Sequence, residues 1–372
     1  MTDLSISQSV VQQKLRKPVS FGIEIHNKQK EITTTSPVPN RMWRVNPIVE
    51  KLLKLVIVLA LSWVIYKQIW ARENATELWA TFLESLTRDR AGWLIAAFIL
   101  IPINWAFETL KWKELIKEIE TLSFWKMYSA ILSGVTFSVF TPNRIGEYAG
   151  RILFVKAENN WKTVVATLVG SFSQLLVLLS IGILGLSFFI WRYLELEVYV
   201  LRGILFLGIA GMGLMLFCFY NVDLMVPIVK RLPLKKYLIP YVKHLNVLRN
   251  YRSKELSRVL LFSFLRYATY TTQYYLMLMY FGVEVPLLTG IACIATIFLL
   301  QTSIPLPPIM GLLMRGEVAL FVWGNFCDNE LSILASTFSL WVINMILPAL
   351  IGIIFIVNIN VLKSLGYASK GD

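Results

Sequence analysis

The segment Thr141-Pro142-Asn143-Arg144-Ile145-Gly146-Glu147, with Tyr148 to Arg151 behind it, sets two arginines, a carboxylate, a proline and two glycines between two apolar runs. A charged side chain at the centre of a bilayer costs about 2.5–3.5 kcal/mol, so Arg144 and Glu147 facing lipid together would cost on the order of 5–7 kcal/mol. They are expected to face protein or a water-filled cavity instead. Thr141 is suited to cap a helix and Pro142 to be its first residue. A half-helix starting inside the membrane would turn free N–H groups and a positive dipole end toward an anion, and Arg144 adds a full charge. The planar guanidinium fork suits phosphate because it binds two oxygens at once. Glu147, about one turn on, is in reach of Arg144, either to hold it in an empty site or to meet a cationic head group. Arg151, seven residues after Arg144, shares its face. Asn143 and Gly146 complete the break.

A partial echo occurs late in the chain, Ile304-Pro305-Leu306-Pro307-Pro308-Ile309-Met310-Gly311, then Met314-Arg315-Gly316-Glu317. Arg315 and Glu317 offer a similar pair, and Gly311 and Gly316 allow close backbone approach. Further polar residues interrupt apolar stretches. Asn104 and Glu108 are one turn apart, and Arg266, Tyr270 and Gln273 or Tyr274 form a helical stripe. Gln174 and Asn344 each read first as interhelical hydrogen-bonders. Arg266 is different, because a lone arginine in an apolar span is a functional candidate by default. Against a phosphate site stands the plainer reading, in which these ion pairs only pin two hairpins. Ion or proton coupling is a third.

The elements that must position these residues follow from composition. The chain has 372 residues, 56% hydrophobic and 16% charged, with mean hydropathy +0.61. That is a polytopic all-α membrane protein, not a soluble domain. Its net charge of +13 reads as basic loops beside anionic lipid rather than as a nucleic-acid surface. Cys218, Cys293 and Cys327 show no paired spacing, and His26 and His244 stand apart, so neither disulfide, metal site nor cofactor is expected. Residues 1–46 read as a disordered basic cytoplasmic tail and 364–372 as a second short tail, with the membrane domain over 47–363.

Spans are expected at about 48–70, 92–110, 163–191, 199–220, 259–281 and 332–358, with shorter apolar segments at 127–140, 285–304 and 318–326. Within the loop 221–258, residues 230–258 hold nine Lys and Arg against Glu255 alone. If every segment crossed, that block would fall outside, against the positive-inside rule. Reading 127–157 and 285–326 as re-entrant hairpins puts every basic loop and both termini in the cytoplasm and Asp328 and Glu330 outside. The architecture is then six full spans plus two opposed re-entrant hairpins. It forms an inverted repeat of units 92–191 and 259–358, a transporter plan with its site between the repeats.

The Thr-Pro-Asn-Arg-Ile-Gly-Glu stretch and the later Pro-rich, Arg-Gly-Glu stretch resemble the lysylphosphatidylglycerol synthase transmembrane, or flippase-like, family, over roughly residues 50–360. In the second motif this chain has Pro-Pro-Ile-Met-Gly where the family is richer in glycine. Family members with a C-terminal soluble domain use it to transfer lysine from charged tRNA to phosphatidylglycerol. The chain ends soon after its last span, so that domain is expected to be missing. The resemblance therefore implies lipid translocation or binding in the cell (inner) membrane, with anionic phospholipid as the partner. Two alternatives stand beside it. One is a membrane transferase using Glu147 or Glu317 as general base, although no nucleophile–histidine pair accompanies them. The other is a non-transporting subunit docking a protein partner at 230–258, a block read as part interfacial helix.

Overall fold

A computed structural model describes residues 90–139, 141, 144–194, 197–224, 226–227, 243–303 and 308–359, with Leu52, Val56, Leu59, Thr76, Ala80 and Leu83 as isolated positions. The expected tails, most of the first span and the basic stretch 228–242 lie outside the described residues. Among the described residues all regular structure is helical. In chain order the helices are α1 (Ala91–Ile116), α2 (Phe124–Ser138), α3 (Gly146–Ile152), α4 (Asn160–Tyr193), α5 (Val198–Tyr220), α6 (Ser253–Tyr280), α7 (Leu287–Ser303), α8 (Pro308–Trp323), α9 (Glu330–Trp341) and α10 (Leu347–Val357). A 3-10 helix over Lys243–Asn250 precedes α6, where an interfacial helix was expected.

Four helical stretches among these residues are long and apolar enough to cross a bilayer: Ala91–Ile116, Ala157–Tyr193, Val198–Tyr220 and Glu330–Val357. At 1.5 Å per residue, the 28 residues of α6 are also long enough, but Lys254, Glu255, Arg258 and Arg266 lower its apolarity. The 15 residues of α2 reach only about 22 Å, short of a hydrocarbon core of roughly 30 Å.

Three local features differ from the sequence reading. First, α1 continues to Ile116, past the expected end at Leu110, and so carries Lys111 on a buried helical face instead of in a connector. Second, Pro308 to Trp323 is one continuous helix, longer than the short apolar segment expected at 318–326. Third, α9 and α10 are joined by a π-helical turn over Val342–Ile346. Pro348, near the start of α10, has no N–H to donate to the carbonyl of Asn344, and such a gap favours a local change of ladder.

Packing follows a reciprocal pattern. α1 lies along α6, α2 along α10, and α7 along α4. Each hairpin-like helix therefore packs on a helix from the other half of the sequence. Small residues permit both contacts. A Cβ on Gly352 of α10 would strike Thr136 and the carbonyl of Leu132 on α2, and one on Gly185 of α4 would come within 2.6 Å of the Ala292 carbonyl on α7. The Thr136 hydroxyl uses this proximity to donate to the Ala349 carbonyl at 2.8 Å. The buried apolar residues fall into two clusters, one drawing mainly on α1, α2, α4 and α10, the other on α6 to α9.

Candidate functional site

The break after α2 turns back on its own helix. α3 packs so closely on α2 that a Cβ on Gly150 would collide with the backbone of Gly134, and one on Gly146 with the Phe137 carbonyl. Arg144 supplies the turn with φ of 59°, the left-handed region that a residue with a Cβ adopts only under local constraint. The expected cap is corrected in one respect. α3 begins at Gly146, not at Pro142, and has seven residues, too short for a strong dipole. The hydroxyl of Thr141 accepts a hydrogen bond from the Gly146 amide at 2.7 Å, so the first helical N–H is already occupied. Pro142 and Asn143 lie outside the described residues. What this turn does is carry Arg144, Glu147 and Arg151 to one face.

On that face the three meet residues distant in sequence. Arg151 Nη2 bonds Glu147 at 3.0 Å and Glu108 of α1 at 2.8 Å. Arg144 Nη2 takes the other oxygen of Glu147 at 2.5 Å. Glu108 is also met by Lys111 at 2.6 Å, one turn on in α1, and by Arg266 of α6 at 3.2 Å. Four cations and two carboxylates thus form one continuous network across α1, the α2–α3 turn, α3 and α6. The side chains of Glu108, Lys111 and Arg151 are at most 5% exposed, whereas that of Arg144 is 44% exposed and forms the rim. Two indoles line the guanidinium groups: Trp105 lies 4.9 Å from Arg266 and Trp112 lies 5.8 Å from Arg151. Cation–π contact and the carboxylates together offset the cost of removing these charges from water.

Asn104, one turn before Glu108, donates to the side-chain oxygen of Asn344 at 3.0 Å. The π turn of the last span is thereby tied to the helix bearing the central carboxylate. Gln174 donates to the Ser263 carbonyl at 3.3 Å, and Ser173 and Ser263 share a hydroxyl bond of 2.7 Å, three residues before Arg266. These contacts are interhelical, as the sequence reading of the amides expected. Tyr270 stacks on Phe298 at 5.1 Å and is absent from the ionic network.

The second break is built differently. Arg315 is half-buried on α8 and Glu317 exposed, two positions apart on that helix, and neither makes an ion pair with a described residue. Gly311 has open space around it. The sequence reading did not single out Lys111, Trp105 or Trp112. The three-residue step from Glu108 to Lys111 and the seven-residue step from Trp105 to Trp112 were the available signals. They went unused because a span ending at Leu110 excludes Lys111 and Trp112.

No clusters of His, Cys, Asp and Glu with metal-binding potential occur among the described residues. The network is rich in cations: guanidinium and ammonium donors, largely screened from water, outnumber the carboxylates they meet, and donors of this kind suit oxyanions. Residues 51–352 match the family model of the lysylphosphatidylglycerol synthase TM region. No curated protein matches the chain.

Proposed function

The chain belongs to the lysylphosphatidylglycerol synthase transmembrane family, and from that premise we propose that it binds the phosphate-bearing head group of an anionic membrane lipid and moves it between leaflets. The observation that carries this reading is the ionic network. Placing Arg266 midway along α6, with Lys111 and Arg151 beside it, costs several kcal/mol in a membrane. Pinning a hairpin needs a single pair, not four cations on two carboxylates. Arg144, at the exposed rim, meets the phosphate first and hands it inward as Glu147 gives up its contacts. The acyl chains remain in lipid throughout.

The same proposal has an architecture. We read α2–α3 and α7–α8 as opposed re-entrant hairpins, and α1–α4 and α6–α10 as units of an inverted repeat. The reciprocal packing of α2 on α10 and α7 on α4, with α1 on α6 between them, supports that reading, as a two-fold relation would produce it. Rocking of one unit on the other about the α1–α6 contact exposes the network alternately to each leaflet. The basic loops and both termini are placed in the cytoplasm, and the inner membrane is the expected location. The network includes Arg144, Glu147, Arg151, Arg266 and Glu108; Arg315 and Glu317 belong to the second hairpin, on the path of the head group.

The test is leaflet transfer of fluorescent phospholipids in proteoliposomes, comparing the wild type with Arg144→Ala. The exposed Arg144 contributes little to folding, so the variant is expected to stay intact and to lose transfer at least about tenfold, the effect of one charged contact. Equal transfer by an intact Arg144→Ala protein sinks the reading and leaves the network as a structural clasp.

A further inference from the structure

We infer that the network is charge-matched to a doubly charged phosphate monoester, a lipid ending in a free phosphate, rather than to a singly charged phosphodiester. The inference rests on the phosphate-binding reading above and narrows its substrate class. Lys111, Arg144, Arg151 and Arg266 face Glu108 and Glu147, so four positive charges meet two negative ones and two remain uncompensated. A neighbouring cluster is balanced by contrast. At the ends of the same two helices, Glu114 and Glu255 take Lys117 and Arg258, two carboxylates for two cations.

Arg144 meets water at the rim, but the three inner cations still outnumber the two carboxylates, and an uncompensated charge held away from water is costly; a ligand bearing two negative charges offsets that cost and matches the rim charge as well. A phosphate monoester carries about −1.5 to −2 at neutral pH, whereas a diester carries a single charge. Donors are also left over for its oxygens. The buried Nε atoms of Arg151 and Arg266 have no hydrogen-bond partner, although both guanidinium groups already touch Glu108. A monoester presents three terminal oxygens, which a diester cannot.

The two lipid classes can be compared with one methyl group between them. Binding of phosphatidic acid and of phosphatidylmethanol, in mixed micelles with the full-length purified protein, is measured at pH 7, where the monoester carries about −1.5 to −2. Wild type is expected to bind phosphatidic acid roughly tenfold tighter, about the effect of one partly buried charge. Arg144→Gln, which lowers the excess from two charges to one, is expected to bring the two lipids within about threefold. Binding of both lipids with equal affinity, lost alike in Arg144→Gln, overturns the monoester assignment and leaves the phosphate reading standing. Binding of neither lipid, or binding that ignores Arg144, overturns both. Inorganic phosphate that competes as strongly as the lipid phosphate overturns the lipid as its source.

Discussion

Glu108 holds the network together: three cations, from α1, α3 and α6, converge on its carboxylate. Replacing it by alanine leaves Lys111, Arg151 and Arg266 buried beside one another. Breaking a buried pair by removing one partner typically costs about 3–5 kcal/mol. Glu108→Ala is therefore expected to unfold well below the wild-type temperature in detergent, read by the loss of a monodisperse peak on heating. Arg144→Ala removes a half-exposed ion pair and is expected to cost no more than about 1 kcal/mol. If Arg144→Ala proves as unstable as Glu108→Ala, the division between rim and core is wrong. A transfer defect in Arg144→Ala can thus be read as function, whereas one in Glu108→Ala cannot.

At the scale of elements, the turn depends on the fit of α3 against α2. Gly150 touches the backbone of Gly134, which cannot move aside as a side-chain tip can. Gly150→Ala is expected to cost about 1–3 kcal/mol through overpacking, while Gly211→Ala on α5, where the space is open, is expected to be neutral or slightly stabilising. Equal melting temperatures for the two variants would remove close packing as the reason for the glycine. A second element-scale feature clamps α1 to α6 beyond their apolar stretches, where Lys117 meets Glu255 at 2.8 Å. Burial pushes the Glu255 carboxyl up, but the hydrogen bond from Lys117 and that from the Arg252 amide outweigh it and hold it below its usual 4.5. The bond to Glu255 raises Lys117 above its usual 10.5. The depressed acid contributes stability above its ordinary value and loses it as pH falls through the folded one. The raised base contributes below its ordinary value and loses that as pH rises further. The contribution of this pair to thermal stability is expected to be flat between about pH 5 and pH 10 and to fall outside that window. Glu255→Gln is expected to flatten the acid side, and an unchanged acid limb in that variant would assign the loss to other carboxylates.

For the whole molecule, the proposed orientation rests on charge and the proposed hairpins on packing. In a cysteine-free background, a membrane-impermeant thiol reagent added to intact cells is expected to label Asp328→Cys, and to label Lys254→Cys only after the membrane is opened. Labelling of both from one side would require an odd change in the number of crossings and would dismantle the inverted repeat. The reciprocal use of Gly352 on α10 against α2 and of Gly185 on α4 against α7, the helices proposed as the first arms of the two hairpins, makes a related demand. Bulky substitutions at either should loosen the opposite hairpin, not their own.

Much of this was legible in the sequence, because a bilayer imposes strict rules on local stretches. Helix positions from 92 onward agree with the apolar runs to within a few residues, apart from the ends of α1, α6 and α8, since run length and apolarity are local properties. Arg144, Glu147, Arg151, Arg266 and Glu108 stood out because charge in apolar surroundings is conspicuous without any fold. Which of them meet was decided only by tertiary structure. Glu108 and Arg266 are joined by the packing of α1 on α6, a contact that no spacing encodes. Lys111 became part of the site because α1 extends beyond the point where its apolarity fades, its charge tolerated by a carboxylate supplied one turn earlier. Arg315 and Glu317 resemble the first pair in sequence but stay apart on α8, since two positions on a helix turn side chains about 200° from one another. The type of each residue set the available chemistry; long-range packing alone selected the residues that share it.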